Sequence, residues 1–407
     1  MDWETTEKTI DLETEGVNWT EEPHAGPDGE TIACIVNTGE HEFAVRVNGT
    51  LWENRYEKIW HPRFSPDNRL TALAYDGNQW TVLVDGIPWT HGFDYVWNTC
   101  FSRQGGRIGA AVVSDMAYGM ALDDRPWENR FANLSSPQIS PNGGRTAACV
   151  QVSEAAEGDI DAFQQGIFTV AVDGTAWGTR FINVFTPRFC PCGEHVAADV
   201  RISPHEYTIA VDDKTWDRTF DAVWEPVFHP HNGTVAAPVK IGSLWTLAEN
   251  GRITWKNRYA QLWHQVYSPD GKTTAAIAAP EFGKWTIAVD DNCWPRTYTD
   301  FVTDAVFSPD GKKIAALAKH KGEWRLVVDG VDRCGAFDVM FPPVFNPDSR
   351  RVACRVKHRG KFAVWLDDRP LTGTCDFAWD PVFSPDGGKI LLRTLEGGRY
   401  RRQVTRI

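Results

Sequence analysis

The chain has 407 residues, of which 42% are hydrophobic and 19 are Trp, and it carries a formal net charge of −12. Binding to nucleic acid or to an anionic membrane surface needs a basic field, so this charge argues against both. The acidic N-terminus is unlike a secretory signal, no run approaches 18 apolar residues, and nine Cys without framework spacing indicate free thiols in a cytoplasmic chain.

The two ends of the chain carry opposite charges. Eight acidic residues and one basic residue lie in the first 22 positions, whereas six basic residues and one acidic residue lie in the last 19. Segments 9–12 and 17–22 read as strands, and after residue 385 there is room for only two strands. We therefore expect residues 1–16 to complete the last sheet, so that the two ends lie side by side. A basic docking tail is the alternative explanation.

Ten related turns divide the chain into units. The sharpest copies read Phe-Ser-Pro-Asp-Gly, in which Pro fixes φ at the first turn position and Asp and Gly tolerate the next ones. Successive turns lie 37 to 40 residues apart, except for one spacing of 50. In chain order the turns lie at residues 26–29, 65–68, 101–105, 140–143, 191–193, 230–233, 268–271, 307–311, 346–349 and 383–387.

Each unit has room for four short strands. In the unit from 300 to 337, strands are predicted near 304–307, 313–318 and 324–328, with a short fourth piece that ends near 337. The third strand ends in Asn-Gly, Asp-Gly or Asp-Asp, pairs that accept the positive φ of tight hairpins. These pairs lie at 48–49, 85–86, 123–124, 173–174, 212–213, 290–291, 329–330 and 367–368.

Four-stranded units of about 40 residues, repeated without helices between them, are typical of propeller blades. The sequence therefore predicts an all-β fold with a single β-propeller domain of about ten four-stranded repeats, closed by an N-terminal strand. Residues 1–16 would be the closing strand, 17–376 nine full repeats and 377–407 the last blade. Degenerate repeats that pair differently, or that form two smaller rings, are the alternatives.

The one long spacing contains residues 151–165, which are rich in Glu, Ala, Asp and Gln. Long insertions into solvent cost little free energy. We expect an exposed loop between two strands of the fourth blade. Such a loop can contact a partner, although a solvated loop without any role is the simpler interpretation.

The Trp residues follow the repeat in three sets, and a residue that recurs once per blade is expected to pack one blade on the next. An aromatic ligand surface is the alternative. The first set, after the third-strand turn, comprises Trp52, Trp89, Trp127, Trp177, Trp216, Trp255 and Trp294, with Arg333 and Leu371 in the last two full units. The second set, before the Pro turn, comprises Trp19, Trp60, Trp97, Trp224, Trp263 and Trp379, with Phe185 and Phe341 in equivalent positions. The third set, in the third strand, comprises Trp80, Trp245, Trp285, Trp324 and Trp365.

Motifs for catalysis and cofactor binding are absent from the sequence. It has no Gly-x-Ser-x-Gly elbow, phosphate-binding loop, His-Glu-x-x-His, haem-attachment motif or four-Cys run. Cys190-Pro-Cys192, with His195 nearby, is a weak candidate for a soft metal. Cys34 and Cys354 occupy small-residue positions and are expected to be buried fillers. We therefore expect neither catalytic residues nor a cofactor.

A polar residue recurs just after the second Trp set. If the strand before the Pro turn is the innermost one, these residues could form a ring at the mouth of the central channel and bind a ligand. The simpler interpretation is that they face solvent or cap neighbouring strands. The candidate ring comprises His61, Asn98, Glu225, His264, Asp304 and Asp380.

Two motifs carry a resemblance to known families. The Ser-Pro-Asp-Gly turn with its small-residue strand is similar to the TolB-like and WD-repeat-like propellers. A narrower pattern combines Val172-Asp-Gly-x-x-Trp177-x-x-Arg-Phe181 with Val223-Trp-x-Pro-Val-Phe228. This pattern resembles the TmcD family, Trp-rich cytoplasmic subunits of the transmembrane tetrahaem cytochrome c complex of sulfate-reducing bacteria. The last two full repeats depart from the Trp pattern, which makes their blades candidates for a different contact.

The resemblance implies that redox centres lie on other subunits. In that family these are a multihaem cytochrome c, a membrane cytochrome b and an iron–sulfur protein. The expected function is therefore a non-catalytic scaffold, cytoplasmic and held on the inner membrane by partner proteins. The alternative is a ligand-binding or enzymatic propeller that uses the polar ring.

Overall fold

The computed structural model describes residues 1–12, 16–153 and 159–407. Ten four-stranded antiparallel blades form a ring, so the protein is a ten-bladed β-propeller, as the repeat predicts. First strands of successive blades contact each other, and they therefore surround the central channel. We number the strands of each blade from one to four, from the channel outward. In blades 1, 5, 6, 9 and 10 the first strand is split into two short pieces.

The strands of blades 1 to 5 have the following bounds. Blade 1 contains Trp19–Thr20 with His24–Ala25, then Ile32–Gly39, Glu42–Val47 and Thr50–Leu51. Blade 2 contains Lys58–Phe64, Leu70–Asp76, Gln79–Val84 and Ile87–Pro88. Blade 3 contains Tyr95–Phe101, Ile108–Ser114, Ala117–Leu122 and Arg125–Pro126. Blade 4 contains Asn133–Ile139, Thr146–Gln151, Phe168–Val172 and Thr175–Ala176. Blade 5 contains Asn183–Val184 with Arg188–Phe189, then Val196–Ser203, Glu206–Val211 and Lys214–Thr215.

The strands of blades 6 to 10 follow the same order. Blade 6 contains Ala222–Val223 with Val227–Phe228, then Val235–Ile241, Leu244–Glu249 and Arg252–Ile253. Blade 7 contains Gln261–Tyr267, Thr274–Ala279, Thr286–Val289 and Asn292–Cys293. Blade 8 contains Phe301–Phe307, Ile314–His320, Glu323–Val328 and Val331–Phe337. Blade 9 contains Val339–Met340 with Val344–Phe345, then Val352–His358, Lys361–Leu366 and Arg369–Pro370. Blade 10 contains Phe377–Ala378 with Val382–Phe383, then Lys389–Glu396, Arg399–Arg406 and, from the N-terminus, Glu7–Asp11.

The N-terminal strand closes the ring, as predicted. Glu7–Asp11 pairs antiparallel with Arg399–Arg406, so the opposite charges of the two ends meet. Glu4 lies 2.8 Å from the Lys389 ammonium and Glu7 lies 2.9 Å from the Arg401 guanidinium. This pairing covers the edge of Arg399–Arg406, which would otherwise be free. The acidic residues at positions 13 and 15 lie outside the described residues.

The turn after the third strand ties together each of blades 1 to 9. Its first residue has a positive φ, 50° at Asp85 and 51° at Asp173, for example, as the sequence predicts. The same carboxylate accepts a hydrogen bond from the first amide of the second strand, 2.8 Å at Leu70 and 2.7 Å at Thr146. Asp or Asn is needed here because it tolerates the left-handed conformation and supplies the acceptor. The structure adds Asn250, in blade 6, to this set.

The core lies between neighbouring blades. Small residues of the second strand, such as Ala236 and Ala276, are fully buried and let adjacent sheets approach closely. Leu247 of blade 6 and Leu262 of blade 7 pack in one shared cluster. Each blade therefore depends on its neighbours for its apolar contacts. Cys34 and Cys354 are buried in this layer.

The insertion of blade 4 lies between the second and third strands, at the predicted place. It is not simply a loop, because helix α1 spans Ile160–Gln165. The Asp159 carboxylate caps this helix by accepting a hydrogen bond from the Ala162 amide at 3.0 Å. This cap favours a helix over a loop at the point where the helix begins. Residues 154–158 of the predicted insertion lie outside the described residues.

Candidate functional site

The predicted polar ring lies at a kink in the middle of the first strand. His61, Asn98, His264 and Asp304 all have positive φ, between 49° and 58°. Each stands where the pairing register between the first and second strands shifts. At Glu225 and Asp380 a Pro follows, and the strand is interrupted instead. Asn, Asp and His tolerate the left-handed region better than most residues, so the backbone accounts for their recurrence.

The six side chains do not bond to one another. In the described residues, no hydrogen bond or ion pair joins any two of them. Glu225 instead forms an ion pair with Arg188 of the preceding blade, and Asp380 lies 2.9 Å from the Arg355 guanidinium of blade 9. The two carboxylates therefore link neighbouring blades at the channel wall.

A cleft of about 710 Å³ opens between blades 10, 1 and 2 at the channel wall. His24, His61 and Arg63 line it together with Trp379 and Arg393. Burial lowers the pKa of His61, and the nearby Arg63 and His24 add to this effect. The cleft thus contains one member of the predicted ring and two cationic side chains.

The first Trp set lies at the junctions between blades. Trp127 of blade 3 donates its indole N–H to the Thr146 hydroxyl of blade 4 at 2.9 Å. Its ring also covers Gly174 of that blade, where a Cβ atom would lie 3.1 Å from the Trp127 Cβ. Trp52 covers Gly86 of blade 2 in the same way. Trp127, Trp216 and Trp255 are buried, and Trp52, Trp89, Trp177 and Trp294 are half-buried.

The two blades without this Trp border clefts. Between blades 8 and 9, Arg333 lines a cleft of about 400 Å³ together with Arg350 and Asp368. Between blades 9 and 10, Leu371 lines a cleft of about 690 Å³ with Thr374 and Arg399. A cleft of about 600 Å³ also lies between blades 3 and 4, where Trp127 is present, so the clefts are not explained by the missing Trp alone.

The second Trp set stacks on the third. The rings of Trp60 and Trp80 lie 4.5 Å apart, and those of Trp224 and Trp245 lie 5.3 Å apart. Each pair joins the first strand to the third strand of one blade. Trp19 was assigned to the wrong position, because it pairs with Asn37 at the start of the first strand. A two-residue shift in the degenerate first repeat explains the error.

Exposed apolar side chains are concentrated on one face of the propeller. The hairpins that join the second and third strands, such as 115–116 and 281–283, lie on one side of the propeller, which we call the hairpin face. We call the opposite side the turn face. Of sixteen exposed large hydrophobic side chains in the described residues, only Met1, Ile87 and Val331 lie elsewhere. The thirteen on the hairpin face are Trp19, Trp60, Tyr95, Met116, Ile160, Phe163, Phe185, Ile202, Trp224, Leu244, Phe282, Phe301 and Val339. These thirteen side chains come from blades 1 to 9, and they leave apolar area open to solvent on that face.

Cys190 and Cys192 form a disulfide in the first turn of blade 5. The expectation that all nine Cys are free thiols was therefore wrong for this pair, while the other seven are free. Two Cys separated by one residue in a tight turn lie close enough to bond, since their Cα atoms are 5.3 Å apart. The His195 ring points elsewhere, with its Nδ1 2.6 Å from the Asp212 carboxylate.

Sequence reasoning missed a buried carboxylic acid in blade 5. Asp199 stands in the second strand, where most blades have an apolar residue, and it is 5% exposed. Burial raises its pKa to about 6, although the Thr186 amide donates a hydrogen bond to its carboxylate at 3.2 Å. The one signal in the sequence is an Asp within the small-residue run 196–200.

In the described part of the chain, no group of three or more His, Cys, Asp or Glu side chains is arranged to hold a metal ion. No helix there has the length and apolar composition that crossing a membrane requires.

No family model and no curated protein matches the chain. A structure described as the eukaryotic initiation factor is similar over 83% of this chain and 90% of that chain, at 11% identity and a TM-score of 0.47. The β-propeller domain of Cps50 (Swd1) from Myceliophteria thermophila is similar over 67% of this chain and 97% of that chain, at 13% identity and a TM-score of 0.34. These values carry no conclusion about activity, ligand or partner.

Proposed function

We propose that the protein is a non-catalytic scaffold subunit that docks on the cytoplasmic side of a membrane-associated electron-transfer complex. The observation that carries this proposal is the concentration of exposed apolar side chains on the hairpin face. A closed ring offers such a broad, rigid face without unpaired strand edges. The kind of partner comes from the motif resemblance to the TmcD family: a membrane cytochrome b, an iron–sulfur protein and a multihaem cytochrome c.

Two side chains are well suited to test the docking face. Met116 and Phe282 stand at hairpin tips in blades 3 and 7, and both are 89% exposed. Replacing them with Asp puts charge into an apolar interface and leaves the core untouched. Ile87 and Val331, exposed on the turn face, provide the matched control.

We expect the tagged protein, isolated from native membranes in mild detergent, to co-purify with haem-containing subunits in a fixed ratio. The Met116→Asp/Phe282→Asp variant should lose these subunits and the visible haem spectrum, whereas Ile87→Asp/Val331→Asp should keep both. A haem-free protein found alone in the soluble fraction, or equal loss in both variants, would contradict the proposal.

A ligand-binding function is the second candidate, and the cleft beside His61 is the observation that favours it.

Two substitutions at Asn98 test whether the polar position of the first strand serves the backbone conformation or ligand binding by the whole ring. Asn98→Gly keeps the left-handed conformation and removes the side chain, whereas Asn98→Val opposes that conformation. If the position serves the backbone alone, the Gly variant matches the wild type in melting temperature and in partner binding, and the Val variant melts earlier.

A further inference from the structure

A hydrogen-bonded clasp holds the first turn in five blades. The Ser hydroxyl that opens the turn donates to the carboxylate or amide oxygen two residues later, at 2.7 Å from Ser268 to Asp270 and 2.6 Å from Ser308 to Asp310. The Ser oxygen also accepts from a later amide, four residues on at Ser65 and five residues on in the other four turns, as at 3.0 Å from Thr273 to Ser268. The five pairs are Ser65–Asp67, Ser140–Asn142, Ser268–Asp270, Ser308–Asp310 and Ser384–Asp386.

Blade 5 makes the same clasp with sulfur. Cys190 takes the Ser position and Cys192 takes the Asp position, and their disulfide replaces the hydrogen bond. The rest of the turn has the same geometry as the Ser turns of other blades, since the His195 amide donates to the Cys190 sulfur at 3.3 Å. Gly193 has a positive φ of 82°, within the range of 71° to 87° that the Gly of other turns has. The disulfide thus occupies a turn that folds elsewhere without a covalent bond.

The two sulfur atoms differ in access. Cys190 is 2% exposed, whereas Cys192 stands in the exposed part of the turn. An external thiolate can therefore reach Cys192, and Cys190 would be the leaving group. The amide that donates to the Cys190 sulfur is placed to stabilise the thiolate that forms there.

The reduced pair also fits the turn. In blade 7 the Asp270 carboxylate accepts from the Ser268 hydroxyl and from the Lys272 amide, and these bonds lower its pKa. Asp310 and Asp386 have lowered pKa values for the same reason. A Cys192 thiolate would stand where these turns hold a carboxylate, with the Cys190 thiol in place of the Ser donor. The turn is therefore compatible with both redox states.

We propose that Cys190 and Cys192 form a thiol–disulfide exchange site for a partner dithiol. One thiolate of the dithiol attacks the Cys192 sulfur, the disulfide breaks, and Cys190 leaves as a thiolate that takes the proton of the second thiol. That second sulfur then attacks the mixed disulfide, and Cys192 leaves as a thiolate. The protein disulfide gains two electrons, and the dithiol loses two and becomes a disulfide.

The test uses the full chain purified without reductant, with dithiothreitol as the dithiol. Mass spectrometry of a non-reducing digest should show Cys190 linked to Cys192. After mild treatment with dithiothreitol, N-ethylmaleimide should add two labels to that peptide while the near-ultraviolet Trp spectrum stays unchanged. Removal of reductant in air should restore the linked peptide.

The matched control is Cys190→Ser/Cys192→Asp, which rebuilds the clasp of the other blades. This variant should keep the native near-ultraviolet Trp spectrum and take up no N-ethylmaleimide in this peptide. Its other seven thiols should be labelled to the same extent as in the wild type. Free thiols at both positions before reduction, or reduction only when the Trp spectrum is lost, would overturn the proposal.

Discussion

At the scale of single residues, backbone conformation explains more of this sequence than side-chain chemistry does. His61, Asn98, His264 and Asp304 stand where the first strand kinks, with a positive φ that Asn, Asp and His tolerate better than most residues. Their position could be read from the repeat. The kink could not, since it depends on how a long first strand fits against its neighbours around the channel.

Asp199 makes stability depend on pH. Burial raises its pKa from 3.8 to about 6, so the folded protein holds this proton more tightly than the unfolded chain does. Its contribution to the free energy of unfolding is fully present below pH 3.8 and is lost as pH rises through about 6. We expect Asp199→Asn to be more stable than the wild type at about pH 8, by at most about 3 kcal/mol, and nearly equal at about pH 4.

Denaturant unfolding at the two pH values measures this difference. Asp217→Asn, an exposed Asp in the same blade, is the control and should show no such pH-dependent gain. An Asp199 variant that is less stable than the wild type at both pH values would contradict the expected sign.

At the scale of elements, blades 1 to 9 repeat two turns, and blades 1 to 7 add a Trp after the second turn. The turns could be predicted because Pro, Asp and Gly specify local geometry. Helix α1, the position of Trp19 and the Cys190–Cys192 disulfide could not. They occur where the repeat is interrupted or degenerate, and local patterns there have no second copy for alignment.

Gly174 tests the contact between a Trp and the next blade. Its φ is +79°, and a Cβ atom there would meet the Trp127 ring. Gly233 also has a positive φ, +73°, but has open space around it. Both Ala variants should lose about 1–2 kcal/mol from backbone strain, and Gly174→Ala should lose about 1–3 kcal/mol more from the clash.

Thermal or denaturant melting of the two Ala variants gives the comparison directly. Equal destabilisation would mean that the blades can separate slightly without loss of free energy of unfolding. Trp127 would then not fix the distance between blades 3 and 4.

At the scale of the whole molecule, closure depends on the first twelve residues. Arg402 is fully buried and donates to the main-chain oxygens of Asp2, Thr5 and Asp28. Deletion of residues 1–12 removes two of these acceptors and leaves Arg399–Arg406 as a free edge. We expect a lower melting temperature and concentration-dependent self-association through that edge.

Light scattering after size-exclusion chromatography measures the self-association. Addition of a peptide of residues 1–12 in trans should reverse it. A monomeric deletion variant with unchanged melting would show that the ring is held without this strand.

The pairing of Glu7 with Gln403 also sets the order of events during translation. The closing strand Glu7–Asp11 is synthesised before blades 1 to 9 and its partner Arg399–Arg406 after them, so nine blades must wait for the tenth before the ring can close. Throughout that time both ends of the growing stack expose unpaired backbone and apolar blade surfaces, which favours aggregation. A nascent chain of this protein is therefore an expected client of chaperones that shield strand edges until the tenth blade has been made.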